Sequence, residues 1–236
     1  MSMPGVVTYP RIGVDLDHTL IYRDSQRPAI YRRFIAQTAS TSNTTIVAVG
    51  GLTPTANGSA AAEPGTSGKF VRYTAAAGAG SNAGWTTVFI ATRRDFLPVF
   101  RVQLRTPTNI ADVRVWCGLV SADPSASDTP AVELAAFRYS PATDTTAFWR
   151  AVTDNGSGTP TTTNTNTAIA ADTRYDLTVD CSRSNEVLFW IGSRLVAPHA
   201  LTLPTSTTTL GYYVTATNTT VTAKNIGIGV TDMSHL

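Results

Sequence analysis

The sequence predicts an all-β protein, an antiparallel jelly-roll sandwich preceded by an extended N-terminal arm. Three observations carry this. First, alternating apolar and polar residues recur in short runs from Trp85 almost to the end of the chain, with turn residues between them. The clearest case is residues 172–196, where Tyr175, Leu177, Val179 and Cys181 share one strand face and Val187, Phe189 and Ile191 share one face of the next. Second, the residues that populate exposed helix faces are scarce: Lys69 and Lys224 are the lysines and Glu63, Glu133 and Glu186 the glutamates. Third, charged residues make up 14% of the 236, against the usual quarter or so, while Thr and Val abound.

Taken in order, residues 1 to about 35 read as an extended arm. It carries Arg11, Asp15, Asp17, Arg23, Asp24, Arg27, Arg32 and Arg33, with Pro4, Pro10 and Pro28 interspersed and a short helix expected near residues 28–37. Residues 38–84 are rich in Thr, Ala, Gly and Ser, the composition of loops and linkers, with short strands at 45–49 and 69–74. The organisation expected is therefore residues 1–84 as arm and loops used in assembly, and 85–236 as the jelly roll. Within the latter, strands are predicted near 86–92, 96–106, 111–121, 131–139, 146–153, 167–170, 174–182, 186–191, 194–196, 209–217 and 220–231. Turn chemistry separates them, as at Thr106-Pro107, Asp123-Pro124, Ser140-Pro141, Asp154-Asn-Gly-Ser-Gly158 and Leu203-Pro204. An arm this poor in apolar residues does not offset its own ordering entropy, so partner chains are expected to hold it.

Composition also excludes function classes. The net charge of +2, with Arg32-Arg33 and Arg93-Arg94 as the basic pairs, is too weak a footprint for nucleic-acid binding. No apolar run approaches a membrane span, and the first ten residues lack a basic n-region and an apolar h-region, so a soluble protein made in a cytoplasm is expected. Cys117 and Cys181 each sit on the apolar side of a strand. Two buried free thiols are favoured over an inter-strand disulfide, because two cysteines in a chain of this size are not a secreted disulfide scaffold.

Residues 12–21 read hydrophobic-Asp15-Leu-Asp17-His-Thr, the string of an aspartyl-nucleophile phosphatase, but they lack the alternating strand–helix setting that motif requires. Asp15, Asp17 and the arm arginines are instead assigned to an interface. A glycosidase needs two carboxylates flanking the bond, and Glu133 and Glu186 are isolated; a pair from distant loops, such as Asp144 with Asp154, is the alternative. His199 and His235 have no second ligand at fixed spacing, so no metal or other cofactor is expected. The aromatics Trp116, Trp149, Trp190 and Tyr139 remain as glycan or interface candidates. Trp116 and Trp190 alternate opposite to the main apolar faces of their strands, so a second layer or a ligand must cover them.

The segments Arg94-Asp-Phe-Leu-Pro98, Val115-Trp-Cys-Gly-Leu119, Phe137-Arg-Tyr139, Asp172-Thr-Arg-Tyr175 and Val187-Leu-Phe-Trp-Ile-Gly192, followed by Leu195-Val196 and Leu203-Pro204, together resemble concanavalin A-like lectin and glucanase jelly-roll domains. The form resembled is the one found in tailed-bacteriophage virion proteins. The resemblance implies a non-enzymatic virion structural protein, of head decoration, head fibre or tail. Its N-terminal arm would assemble it with copies of itself and with other virion proteins. A carbohydrate-binding receptor module and a glycan-degrading enzyme are the alternatives it leaves open.

Overall fold

Local turn chemistry fixes where strands end and which pair. Gly156 and Gly158 take left-handed backbone angles (φ 88° and 73°) in the polar turn after residue 155, and Gly192 does the same (φ 61°) in a two-residue hairpin. The computed structural model describes residues 31–35, 52–54, 59–62, 70–87 and 92–234, the first three segments by their backbone alone. Sixteen strands lie among the described residues. They are β1 (Tyr31–Ile35), β2 (Leu52–Pro54), β3 (Ser59–Ala62), β4 (Val71–Thr74), β5 (Asn82–Thr87), β6 (Thr92–Arg93), β7 (Val99–Arg105) and β8 (Val113–Val120). The remainder are β9 (Glu133–Tyr139), β10 (Phe148–Asn155), β11 (Thr161–Ala168), β12 (Arg174–Arg183), β13 (Glu186–Ile191), β14 (Arg194–His199), β15 (Thr209–Asn218) and β16 (Asn225–Ser234). The one α-helical turn among them is α1 (Pro141–Asp144).

The strands form two antiparallel sheets. One runs β14-β13-β12-β7-β16-β4-β3, with β1 also paired to β16; the other runs β11-β10-β9-β8-β15-β5-β2, with β6 on β15. The expected all-β sandwich is therefore what the chain forms. Its interior is a single apolar cluster drawn from both inner faces, including Phe100, Leu104, Val115, Leu119, Phe137, Trp149, Leu177, Phe189, Tyr212 and Ile228. Both cysteines belong to this cluster, free and fully buried, and burial pushes the Cys181 thiol up to about 12. Close strand approach needs Gly118 on β8. A Cβ there would stand 2.4 Å from the Ala135 carbonyl oxygen of β9.

Several elements differ from the sequence expectation, each for a tertiary reason. The helix expected near 28–37 is instead β1, a five-residue strand pairing Tyr31 with Ser234 through Ile35 with Val230. A free edge of β16 outweighs the weak local preference. The sandwich also begins before Trp85, because β2, β3, β4 and most of β5 join one sheet or the other, and Ala83 is fully buried. Val71 and Tyr73 of β4 and Ala83 of β5 pack into the core, and the small residues of β3 pair with β4 through the backbone. The strand β11 lies at 161–168 rather than 167–170. Its Thr/Asn run has no apolar alternation, since it is an edge strand whose one buried residue, Thr165, donates its hydroxyl to the Trp149 carbonyl at 2.8 Å. The strand expected at 45–49 lies outside the described residues.

The two sheets are also tied at one end by a buried histidine. His199 on β14 lies 3.0 Å through Nδ1 from the Thr153 hydroxyl of β10 and 3.0 Å through Nε2 from the Thr163 hydroxyl of β11. Burial lowers its pKa from 6.5 to about 4. The folded protein therefore holds the neutral ring while the unfolded chain takes up a proton below about pH 6.5. Stability from this group is complete above pH 6.5 and declines as pH falls toward 4. Chemical denaturation between pH 7 and 4.5 should show that decline, and a His199→Gln variant should lack the part of the slope that begins near pH 6.5. An unchanged slope in the variant would remove His199 as its cause.

Candidate functional site

The outer faces of the two sheets differ. On the sheet carrying β8, β9, β10 and β15, the outer side chains Trp116, Val120, Leu134, Ala136, Val152 and Tyr213 form a second apolar cluster, all of it buried. Residues 121–132 seal it. Trp116 Nε1 donates to the Ser127 carbonyl at 3.3 Å, and the Tyr213 hydroxyl donates to Asp123 Oδ1 at 2.6 Å. Arg114 donates to both carboxylate oxygens of Asp128 (2.6 and 2.9 Å) and to the Ser125 carbonyl (2.8 Å). Arg138 reaches the Asp128 carbonyl and the buried Asp144 carboxylate. Burial would raise the Asp128 pKa, but hydrogen bonds from Arg114 and Thr143, with the Arg114 charge, hold it at about 2.

Among the described residues, no second layer covers the outer face of the other sheet around β7 and β12. On β7 and β12 the period of two turns Arg101, Gln103, Asp176, Thr178 and Asp180 outward, while Phe100, Val102, Leu104, Leu177 and Val179 face the core. On β13 the same alternation turns Trp190 outward, opposite to the buried Phe189. Register then sets these side chains in a row: Leu195 pairs with Trp190, Trp190 with Thr178, and Thr178 with Arg101. Asp232 of β16 is the next register position. Gln103 and Asp176 pair one step along. Arg101, Gln103, Asp176, Thr178, Asp180 and Trp190, with the Gly192–Ser193 turn, line a groove of about 660 Å³, within the size range of small-molecule sites.

Two of the groove's acids are tied to their own strand. Asp176 accepts from Arg174 at 3.1 and 3.4 Å, and Asp180 Oδ1 accepts from the Ser182 backbone N–H at 2.9 Å. They lie four residues apart on one strand, so their Cα atoms are about 13 Å apart at the usual rise per residue. What the groove offers is an aromatic face flanked by a guanidinium, an amide, a hydroxyl and two carboxylates. That combination suits a ligand with flat apolar faces and many hydroxyls.

The structure separates the sequence candidates. Trp149 and Tyr139 are core residues. Trp149 meets Tyr175 edge-on at 5.6 Å between centroids, and the Tyr139 hydroxyl donates to the Ile110 carbonyl at 3.2 Å. Trp116 lies under residues 121–132, so its second layer comes from its own chain. Trp190 alone of the four stands on an open face. Asp144 and Asp154 lie toward opposite ends of β10, each bound locally, Asp144 to Arg138 and Arg150 and Asp154 to the Ser157 backbone N–H at 2.9 Å. Among the described residues no three His, Cys, Asp or Glu cluster as metal ligands would. Arg32 and Arg33 lie in β1, with Met233 and Asp232 as backbone partners. Arg11, Asp15, Asp17, Arg23 and Arg27 lie outside the described residues. Sequence reasoning missed Arg101, Gln103, Asp176, Thr178 and Asp180. Their shared parity was visible, but the pairing of β7 with β12 that brings them together was not.

No protein-family model and no curated protein matches the chain. Solved structures do. A protein of unknown function from Shewanella oneidensis superposes with a TM-score of 0.57 at 12% identity, over 88% of this chain and 86% of that one. A prokaryotic β-1,3-1,4-glucanase (lichenase) from a mouse hindgut metagenome gives 0.55 at 8% identity, over 87% and 99%. The laminarinase catalytic domain from Thermotoga maritima gives 0.53 at 9%, over 75% and 80%. At these identities the likeness is one of fold, and the fold is the concanavalin A-like jelly roll.

The contrast between the two faces sets a stability test. Trp116→Ala empties a buried site and should cost about 3–5 kcal/mol. Trp190→Ala, partly buried at the groove and leaving no enclosed cavity, should cost less, about 1–2 kcal/mol. Denaturant midpoints of the two variants check this, and equal losses would overturn the assignment of open and sealed faces.

Proposed function

We propose that the chain is a non-enzymatic, glycan-recognising jelly roll whose binding surface is the open face of β7, β12 and β13. The observation that carries this reading is the row Trp190–Thr178–Arg101, which sets an aromatic ring beside polar groups in a 660 Å³ groove. A pyranose has an apolar face to stack on an indole and hydroxyls to meet the amide, hydroxyl and guanidinium. That solved enzymes of this fold are named for glucans agrees with sugar chemistry on the scaffold. The non-catalytic part rests on spacing. Glycosidase carboxylates lie about 5–5.5 or 6.5–9.5 Å apart, and Asp176 and Asp180 are spread along a strand and already engaged.

A second reading, a virion structural component that assembles with its own copies and other virion proteins, is favoured by a different observation. The arm segment β1 adds a strand to β16 through five registered residue pairs, the backbone mode by which arms dock on sheets.

Glycan-array binding followed by calorimetry tests the first reading. Trp190→Ala should weaken the best array ligand at least tenfold, Phe96→Ala, at an exposed aromatic outside the groove lining, should not, and no reducing ends should be released from that ligand. Full binding by Trp190→Ala, or turnover of the ligand, would sink it. For the second, light scattering of the full chain and of a chain lacking residues 1–35 should give different oligomeric masses. Equal masses would rule out the arm as the assembly element.

A further inference from the structure

The charges of the groove are not equivalent, and their difference selects among sugars. Around the groove's sheet, the other arginines whose side chains are described are engaged, most of them by nearby acids and Arg194 by the Thr165 carbonyl at 3.1 Å. Arg105 bonds Asp172 at 2.9 Å, Arg174 bonds Asp176 at 3.1 Å, Arg72 lies 3.6 Å from Asp172, and Arg183 holds Glu186. Arg101 is the exception. Among the described residues its guanidinium makes no hydrogen bond or ion pair, although it is exposed at the centre of the groove with Asp176 and Asp180 diagonal to it on the next strand. Both of those carboxylates are already bonded, to Arg174 and to the Ser182 N–H. The free cationic fork is therefore the groove's uncommitted charged group.

We infer that the groove recognises an acidic glycan, one carrying isolated carboxylates, with Arg101 receiving the carboxylate and Trp190 stacking the sugar ring. The inference rests on the groove being a glycan site. A guanidinium presents paired N–H donors in the fork geometry that matches a carboxylate. Thr178 separates Arg101 from Trp190 by one strand, so the two are about 10 Å apart across the sheet. That distance is bridged by a stacked ring whose acidic substituent meets the long arginine side chain. Asp176 and Asp180 on either side restrict where negative charge fits. An anion is accommodated on the Thr178 side of Arg101, away from the Asp232 register position on β16, and repelled one step up or down the strand. The groove therefore favours a spaced carboxylate over a densely sulfated polyanion.

The test uses the full chain against matched probes: oligogalacturonate and sialylated oligosaccharides, each beside its carboxyl-reduced form, with heparin as the dense polyanion, at fixed salt. The expected result is binding to at least one acidic probe, weakened tenfold or more by carboxyl reduction and by Arg101→Gln, and partly restored by Arg101→Lys. Heparin should bind less tightly than that probe. Equal binding of acidic and reduced forms, unaffected by Arg101→Gln but lost in Trp190→Ala, would overturn the acidic preference and leave the glycan groove standing. Binding that neither Arg101→Gln nor Trp190→Ala affects, or no binding to any glycan, would overturn both.

Discussion

Phe137 on β9 meets Phe189 on β13 edge to face across the interior, 5.3 Å between centroids and 87° between planes. Trp149 packs edge-on against Phe137 from its own sheet and against Tyr175 from the other. On the far side of the interior, Phe100 stacks on Tyr212 at 5.5 Å and 14°. Each such pair adds about 0.5–1.5 kcal/mol beyond its burial, but the geometric effect matters more. Rings that interlock from both inner faces fix how one sheet sits over the other, because a slip of one residue along any of these strands would turn the ring outward. The parity of every outward residue follows from this seam. Trp190 is on the open face because its neighbour Phe189 is held in the core.

The same seam explains why the sandwich has one sealed and one open face. A sheet with Trp116, Tyr213 and Leu134 on its outer side cannot leave that side in water without losing a large apolar burial. The chain meets this with residues 121–132, held by Arg114, Arg138 and two aspartates. A buried ion pair such as Arg138–Asp144 is weak evidence for net stability, since desolvation offsets much of its attraction. Its worth here is directional: it holds the Arg138 guanidinium where it also donates to the Asp128 carbonyl of the cover. Among the described residues, the opposite face carries no such apolar layer around Thr178 and Arg101, whose polar side chains do not require one.

Much of the architecture was legible before any coordinate. Alternation in 174–183 marks a strand buried on one side, the short apolar runs in 113–120, 133–139 and 186–191 mark strands covered on both, and the strand limits there agree to within two or three residues. What failed was local in a different sense. The Thr/Asn run of β11 and the small residues of β3 carry no alternation, because an edge strand or a ladder of small side chains is specified by its partner rather than by its own pattern. The helix expected around Tyr31 failed for the same reason. The site was half legible. Trp190 could be singled out from parity alone. Its companions come from β7 and β12, over 70 residues apart in sequence at Arg101 and Thr178, and only the register across the two strands reveals that they meet. The fates of Trp116 and Trp190 were identical in pattern, and they diverge only because a loop covers one of them.

The two cysteines lend the fold one more property. Cys117 is carried by β8 and Cys181 by β12, so each sheet contributes one sulfur to the common interior, both fully shielded and held as thiols by burial. Alkylating or oxidising agents attack the thiolate and must reach it. Neither condition is met while the sheets stay together. Thiol chemistry in this protein is thus a clock for the parting of its two layers, and the native molecule is indifferent to the redox state of its surroundings.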